Sequence, residues 1–174
     1  MNETTLQDWE ALYDERSGKM LLFAKQFVGC VATAEDVVQE GFLRFWKSRM
    51  SHPEEKRESH LYGCVRWAAL DYLRRTKRAR VREENYSADE AALTGSQESF
   101  ECPVENQETA ALLEASLAKL PPEQREVVVL KVWAELTLQE IGDSLGISPN
   151  TAASRYRYAL EALRREVRIF DYAD

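Results

Sequence analysis

Cysteine is scarce in this chain. Cys30, Cys64 and Cys102 are three thiols in 174 residues, each more than thirty residues from the next. That spacing offers no paired metal-ligand pattern and no disulfide framework, and His52 and His60 do not complete a metal site. The thiols read as buried or idle, and no metal or cofactor is expected. Long apolar runs are also missing. The longest, Met20–Ala24 and Val127–Leu130, fall far short of the roughly 20 residues a bilayer requires, so no membrane insertion is expected. The acidic start, Met1–Glu10, has no signal-peptide pattern, so a cytoplasmic location is expected. There is no glycine-rich phosphate loop and no His, Cys or carboxylate constellation at catalytic spacing, so the chain does not read as an enzyme.

The most informative absence is local. Residues 83–108 contain eight acidic side chains and no lysine or arginine. The net charge of the whole chain, −7, argues by itself against nucleic acid, whose phosphates are bound through Lys and Arg. The charges are segregated, however. Residues 44–82 carry twelve basic groups against four acidic ones, a local net of +8, whereas residues 1–43 carry three against eight. One or two cations would serve to complement a helix dipole, so twelve favour an anionic partner. The acidic block also holds Ser87, Thr94, Gly95, Ser96, Ser99 and Pro103 without sustained periodicity, the composition of a linker. It divides the chain into domains at 1–82 and 109–174, joined by 83–108.

Both domains read as all-α, because apolar residues recur at three and four and no alternating strand pattern is flanked by hairpin turns. A short helix is expected around Leu6–Tyr13 and a second over Met20–Val28. Thr33 is expected to cap a third, with Val37, Val38, Phe42, Phe45 and Trp46 inward and Asp36, Gln39, Glu40 and Arg44 outward. A long helix from His60 to Arg82 is expected to bury Leu61, Cys64, Val65, Ala68, Leu70 and Leu73. In the second domain a helix over 110–117 precedes one begun by Pro121-Pro122, with Val127, Val128, Leu130 and Val132 as its buried face.

The strongest local motif runs from Thr137 to Thr151. Thr137 caps a short helix that ends at Leu145, Gly146 supplies a positive φ for a tight turn, and Ile147 returns to the core. Ser148 then caps a second helix with Pro149 at its first position. An ordinary helical hairpin lacks this coincidence of two caps and a turn glycine, so the motif reads as a helix-turn-helix. It presents the start of its second helix to a DNA major groove. Ser148, Asn150, Thr151, Ser154, Arg155, Arg157 and Tyr158 are the side chains placed to contact bases and phosphates.

Three blocks together resemble the extracytoplasmic-function (ECF) sigma factors of bacterial RNA polymerase. Ala34-Glu35-Asp36-Val37-Val38-Gln39-Glu40-Gly41-Phe42 resembles the acidic core-binding helix of region 2. Leu61-Tyr62 through Asp71-Tyr72-Leu73-Arg74-Arg75 is similar to the promoter-melting helix. Leu120-Pro121-Pro122-Glu123-Gln124-Arg125-Glu126-Val127 with the helix-turn-helix is similar to region 4. The resemblance implies two small helical domains, a region 2 bundle and a region 4 helix-turn-helix bundle. It implies core-polymerase binding through Asp36, Gln39, Glu40 and Phe42. Contacts to the minus-10 element fall to Arg66, Trp67, Asp71, Arg74, Arg75, Lys77 and Arg78, and the helix-turn-helix residues read the minus-35 element. Ser48–Ser59 corresponds to a loop that accommodates a flipped base. The implied partners are the polymerase core enzyme, promoter DNA and an anti-sigma factor.

Trp67 stands where the family often has asparagine, Ala153 where a lysine is usual, and Tyr158 where a cation is common. Fewer cations imply weaker non-specific DNA binding. These departures motivate one alternative, a sigma-like decoy that holds polymerase or an antagonist without productive promoter recognition. A one-component transcription regulator would leave the first domain idle.

Overall fold

The computed structural model describes residues 3–48, 56–84, 113 and 115–171, and their side chains over 10–48, 56–82, 113 and 115–166. Among these residues every regular element is a helix. The chain divides into two compact units, 1–98 and 99–174. The division falls inside the expected linker 83–108, most of which lies outside the described residues.

The first unit is built from α1 (Glu3–Val28), α2 (Val31–Ser48) and α3 (Arg57–Glu84), each packed on the other two. The two short helices expected before residue 28 are one continuous helix. Gly18 does not divide them. A mid-helix glycine costs about 1 kcal/mol relative to alanine, which the packing of the flanking turns outweighs. The break comes at Gly29, whose φ of +72° is a left-handed conformation and whose N–H donates to the Lys25 carbonyl at 2.9 Å. Because that turn is so tight, α2 begins at Val31 and Thr33 lies inside it rather than at its cap. The Ala34 N–H already donates to the Cys30 carbonyl at 3.0 Å.

Met20, Phe23 and Ala24 of α1 meet Val37, Val38 and Phe45 of α2 and Leu61, Tyr62, Val65 and Ala69 of α3 in a closed core. Phe23 and Tyr62 stand edge to face with ring centroids 5.7 Å apart. Tyr62 is 1% exposed and was not among the expected core residues. Burying each such side chain contributes about 1.5–3 kcal/mol. A β-carbon on Gly41 would lie 2.7 Å from the Val65 Cα, so this glycine permits the close crossing of α2 over α3. From Tyr72 to Arg82 every residue of α3 is exposed. Leu73, expected inside, is on this overhang because the helix has run past the end of the core.

The second unit contains a helical turn over 115–119, here α4, then α5 (Pro122–Val132), α6 (Leu138–Leu145) and α7 (Pro149–Asp171). Pro122 occupies the first turn of α5, where its missing N–H costs nothing. The Arg125 guanidinium donates to the carbonyls of Ala118 and Leu120, both at 3.1 Å, and so closes the end of α4. Leu117, Leu120, Val128 and Ala159 form one core cluster, with Leu113, Trp133, Tyr156, Ala162 and Leu163 packed against it. Val127, Val129 and Leu130 are buried as well. Val132, expected in that face, is 48% exposed because α5 ends there, and Val129 takes the buried role instead.

Candidate nucleic-acid interface

The helix-turn-helix forms as its caps dictate. The Glu140 N–H donates to Thr137 Oγ1 at 3.2 Å and the Thr137 N–H donates to Glu140 Oε2 at 2.7 Å, a reciprocal capping box. Gly146 ends α6 at φ +68°. A β-carbon on Gly142 would stand 2.8 Å from the Ile147 carbonyl oxygen, so this glycine makes room for the turn backbone, and the Ile147 N–H donates to the Gly142 carbonyl at 2.9 Å. Ser148 Oγ accepts from the Thr151 N–H at 3.0 Å and shares a 2.8 Å hydrogen bond with the Thr151 hydroxyl.

Behind these caps Ala152 and Ala159 are buried and fix one face of α7 against the unit. Ser148, Asn150, Thr151, Arg157 and Tyr158 are exposed, and Ser154 and Arg155 are half-buried at its margin. Ala153 is half-buried too. The Arg157 guanidinium lies over the Tyr158 ring, 5.1 Å from its centroid. The sequence-predicted recognition residues therefore share the first turns of one solvent-facing helix.

In the first unit, Asp36, Gln39 and Glu40 are exposed on α2, while Phe42 is half-buried with its ring edge to face with Tyr13 at 4.9 Å. Phe42 thus packs toward α1 and is less exposed than the three polar residues. On α3, Arg74, Arg75, Lys77 and Arg78 project from the exposed overhang, and Arg66 is half-buried nearer the core. Asp71 is half-buried and ion-paired with Arg75. With that Arg75 partner it lies beside Asp36, Glu40 and Tyr72 around a recess between α2 and α3.

Trp67 is 46% exposed, and the Arg44 guanidinium sits 3.8 Å from its ring centroid. Around them Lys47, Ser48, His60 and Cys64 complete a shallow pocket. Ser48 Oγ and His60 Nε2 are hydrogen-bonded at 2.7 Å. Burial pushes the Cys64 thiol up from its ordinary value, with the Ser48 hydrogen bond and the Arg44 charge opposing it. This pocket was not anticipated as a unit. Its signals were the helical i, i+4 spacings Glu40/Arg44 and His60/Cys64. Most of the expected base-accommodating loop 48–59 lies outside the described residues. Among the described residues no cluster of three or more His, Cys, Asp or Glu could hold a metal. No described helix is long and apolar enough to cross a membrane.

Residues 12–79 match the family Sigma-70 region 2, and residues 116–165 match Sigma-70, region 4. The chain is 32% identical over 161 residues to the ECF RNA polymerase sigma factor SigL of Mycobacterium tuberculosis, covering 88% of this chain and 85% of SigL. The chain belongs to the ECF sigma factors. It is also 29% identical over 163 residues to the ECF sigma factor SigE of Mycolicibacterium smegmatis, covering 94% of this chain and 63% of that relative's length. Among solved structures it is similar to the sigma factor RpoE of Bartonella quintana, crystallised with the anti-sigma factor NepR. The TM-score is 0.69 at 18% identity, and the match covers 94% of this chain and 98% of the other. That likeness bears on the fold of this sigma factor, two all-α units with a region 2 bundle and a region 4 helix-turn-helix.

Proposed function

We propose that this ECF sigma factor binds the core RNA polymerase through the exposed acids of α2, with Asp36, Gln39 and Glu40 meeting basic groups on the enzyme. The cations of the α3 overhang then hold phosphates of the minus-10 region and the opened strand, and Trp67 offers a stacking surface. The start of α7 reads the minus-35 element through Asn150, Thr151, Ser154 and Arg155, with Arg157 and Tyr158 beside them. The work is done in the cytoplasm by binding rather than by bond-making chemistry. An anti-sigma factor that covers these surfaces would hold the chain inactive.

The observation that carries this reading is the division of labour in one chain. An acidic helix face and a cation-rich helix end occupy one unit, and a doubly capped α6 followed by a recognition helix that Ser148 caps occupies the other. Transcription reconstituted from core enzyme, this chain and genomic promoter fragments tests it. Initiation at discrete sites is the expected result, weakened by Arg155→Ala at those sites. A chain that binds core enzyme yet never directs initiation would instead be a decoy.

A further inference from the structure

Successive turns of α2 line a groove against α3, and the two halves of that groove differ in charge, one mainly acidic and the other basic. Asp36, Glu40, Asp71 and Tyr72 surround a recess of about 170 Å³, where Arg75 is the one cation and is ion-paired with Asp71. Farther along, Arg44, Lys47, Ser48, His60 and Trp67 line an open pocket of about 510 Å³. One side chain links the two halves. Arg44 Nε lies 2.8 Å from Glu40 Oε1, and the same guanidinium lies 3.8 Å from the centroid of the Trp67 ring. Glu40 thus holds a cation down on the aromatic surface that a base would need.

An i, i+4 ion pair at this level of exposure is weak and readily exchanged for another partner. The cation–π contact is similarly modest in water. We propose that Arg44 is a positioning residue that couples polymerase docking to capture of an unstacked base. In the free chain, Glu40 keeps Arg44 on Trp67. When a basic group of the polymerase takes Glu40, Arg44 is released, the indole face opens for stacking, and the guanidinium donors turn to the base or its phosphate. Linkage makes the effect reciprocal, since single-stranded DNA that draws Arg44 away leaves Glu40 free for polymerase, and each ligand strengthens the other. The inference rests on the reading above, in which α2 docks on polymerase and the pocket side meets DNA.

The test uses the full chain, alone and in reconstituted holoenzyme, with a fluorescent mixed-sequence single-stranded DNA oligonucleotide as probe. Glu40→Gln is expected to tighten probe binding by the free chain by about two- to fivefold. The same substitution in an Arg44→Ala background is expected to give no gain. Glu35→Gln, which removes an exposed acid of the same helix outside the groove lining, is also expected to give none. Arg44→Met, which keeps the aliphatic stem, replaces Arg44→Ala if thermal melting shows that variant unfolded. An equal gain in the Arg44-deficient background or from Glu35→Gln would mean bulk electrostatics and overturn the proposal. So would the absence of any gain from Glu40→Gln. The underlying reading is checked separately by promoter-directed initiation with the wild-type holoenzyme. If that succeeds while the Glu40 effect is independent of Arg44, only the coupling fails.

Discussion

Gly41 and Gly146 are both required, for different physical reasons. Gly41 is helical, and its lack of a side chain lets the Val65 backbone approach. Gly41→Ala must push α2 away from α3, and a loss of about 1–3 kcal/mol is expected by chemical denaturation. At Gly146 there is open space, and the constraint is the backbone itself at φ +68°. Gly146→Ala is therefore expected to cost about 1 kcal/mol through the left-handed conformation alone. Cys64 gives a test of a different kind. Its thiol is held above its ordinary pKa by burial, so the folded chain keeps the proton at pH values where the unfolded chain has released it. This contribution to stability is complete below the unfolded pKa and is lost as pH rises through the folded one. The stability of Cys64→Ser should accordingly fall less steeply than wild type across the alkaline range. Modification of Cys64 by a thiol reagent should require a higher pH than modification of a free cysteine peptide.

At the scale of the element, caps proved more legible than interiors. The start of α6 at Thr137, its end at Gly146 and the start of α7 after Ser148 were all readable, because each depends on side chains within four residues of the boundary. Thr137→Ala removes one half of the capping box and is expected to destabilise the second unit by about 1 kcal/mol in thermal melts. DNA binding should fall only as far as the fold does. The errors arose where a boundary depends on distant packing. A break was expected between residues 13 and 20 and a cap at Thr33, but α1 runs unbroken to Val28 and the tight turn at Gly29 starts α2 before Thr33. Leu73 fitted the apolar period of its helix, yet the core of the first unit ends before it is reached, and Val132 is exposed at the last position of α5 although Ala134 and Leu136 beyond it are buried.

For the whole molecule the net charge of −7 opposes DNA binding by the free chain. The α3 overhang supplies a concentrated local exception, with Arg74, Lys77, Arg78, Val81 and Arg82 lining one shallow groove along it. Promoter binding by the holoenzyme should weaken steeply with salt, and Arg78→Ala should lower the slope of log affinity against log salt by about one unit. A substitution on an exposed acid of α2, such as Gln at Asp36, should instead weaken assembly with core enzyme and leave that slope unchanged. Measuring the two quantities side by side separates the polymerase face from the DNA face.

Helical class, the segregation of charge and the helix-turn-helix were determined by the sequence alone, since periodicity, composition and caps act over a few residues. Tertiary structure decided which apolar residues are core. It placed Tyr62 inside and Leu73 outside, a distinction set by where three helices meet rather than by the pattern of any one of them. It also decided that Arg44 of α2 lies on Trp67 of α3. Residues 44 and 67 have no local relation in the chain, and the crossing of α2 and α3 at Gly41 creates the relation between them.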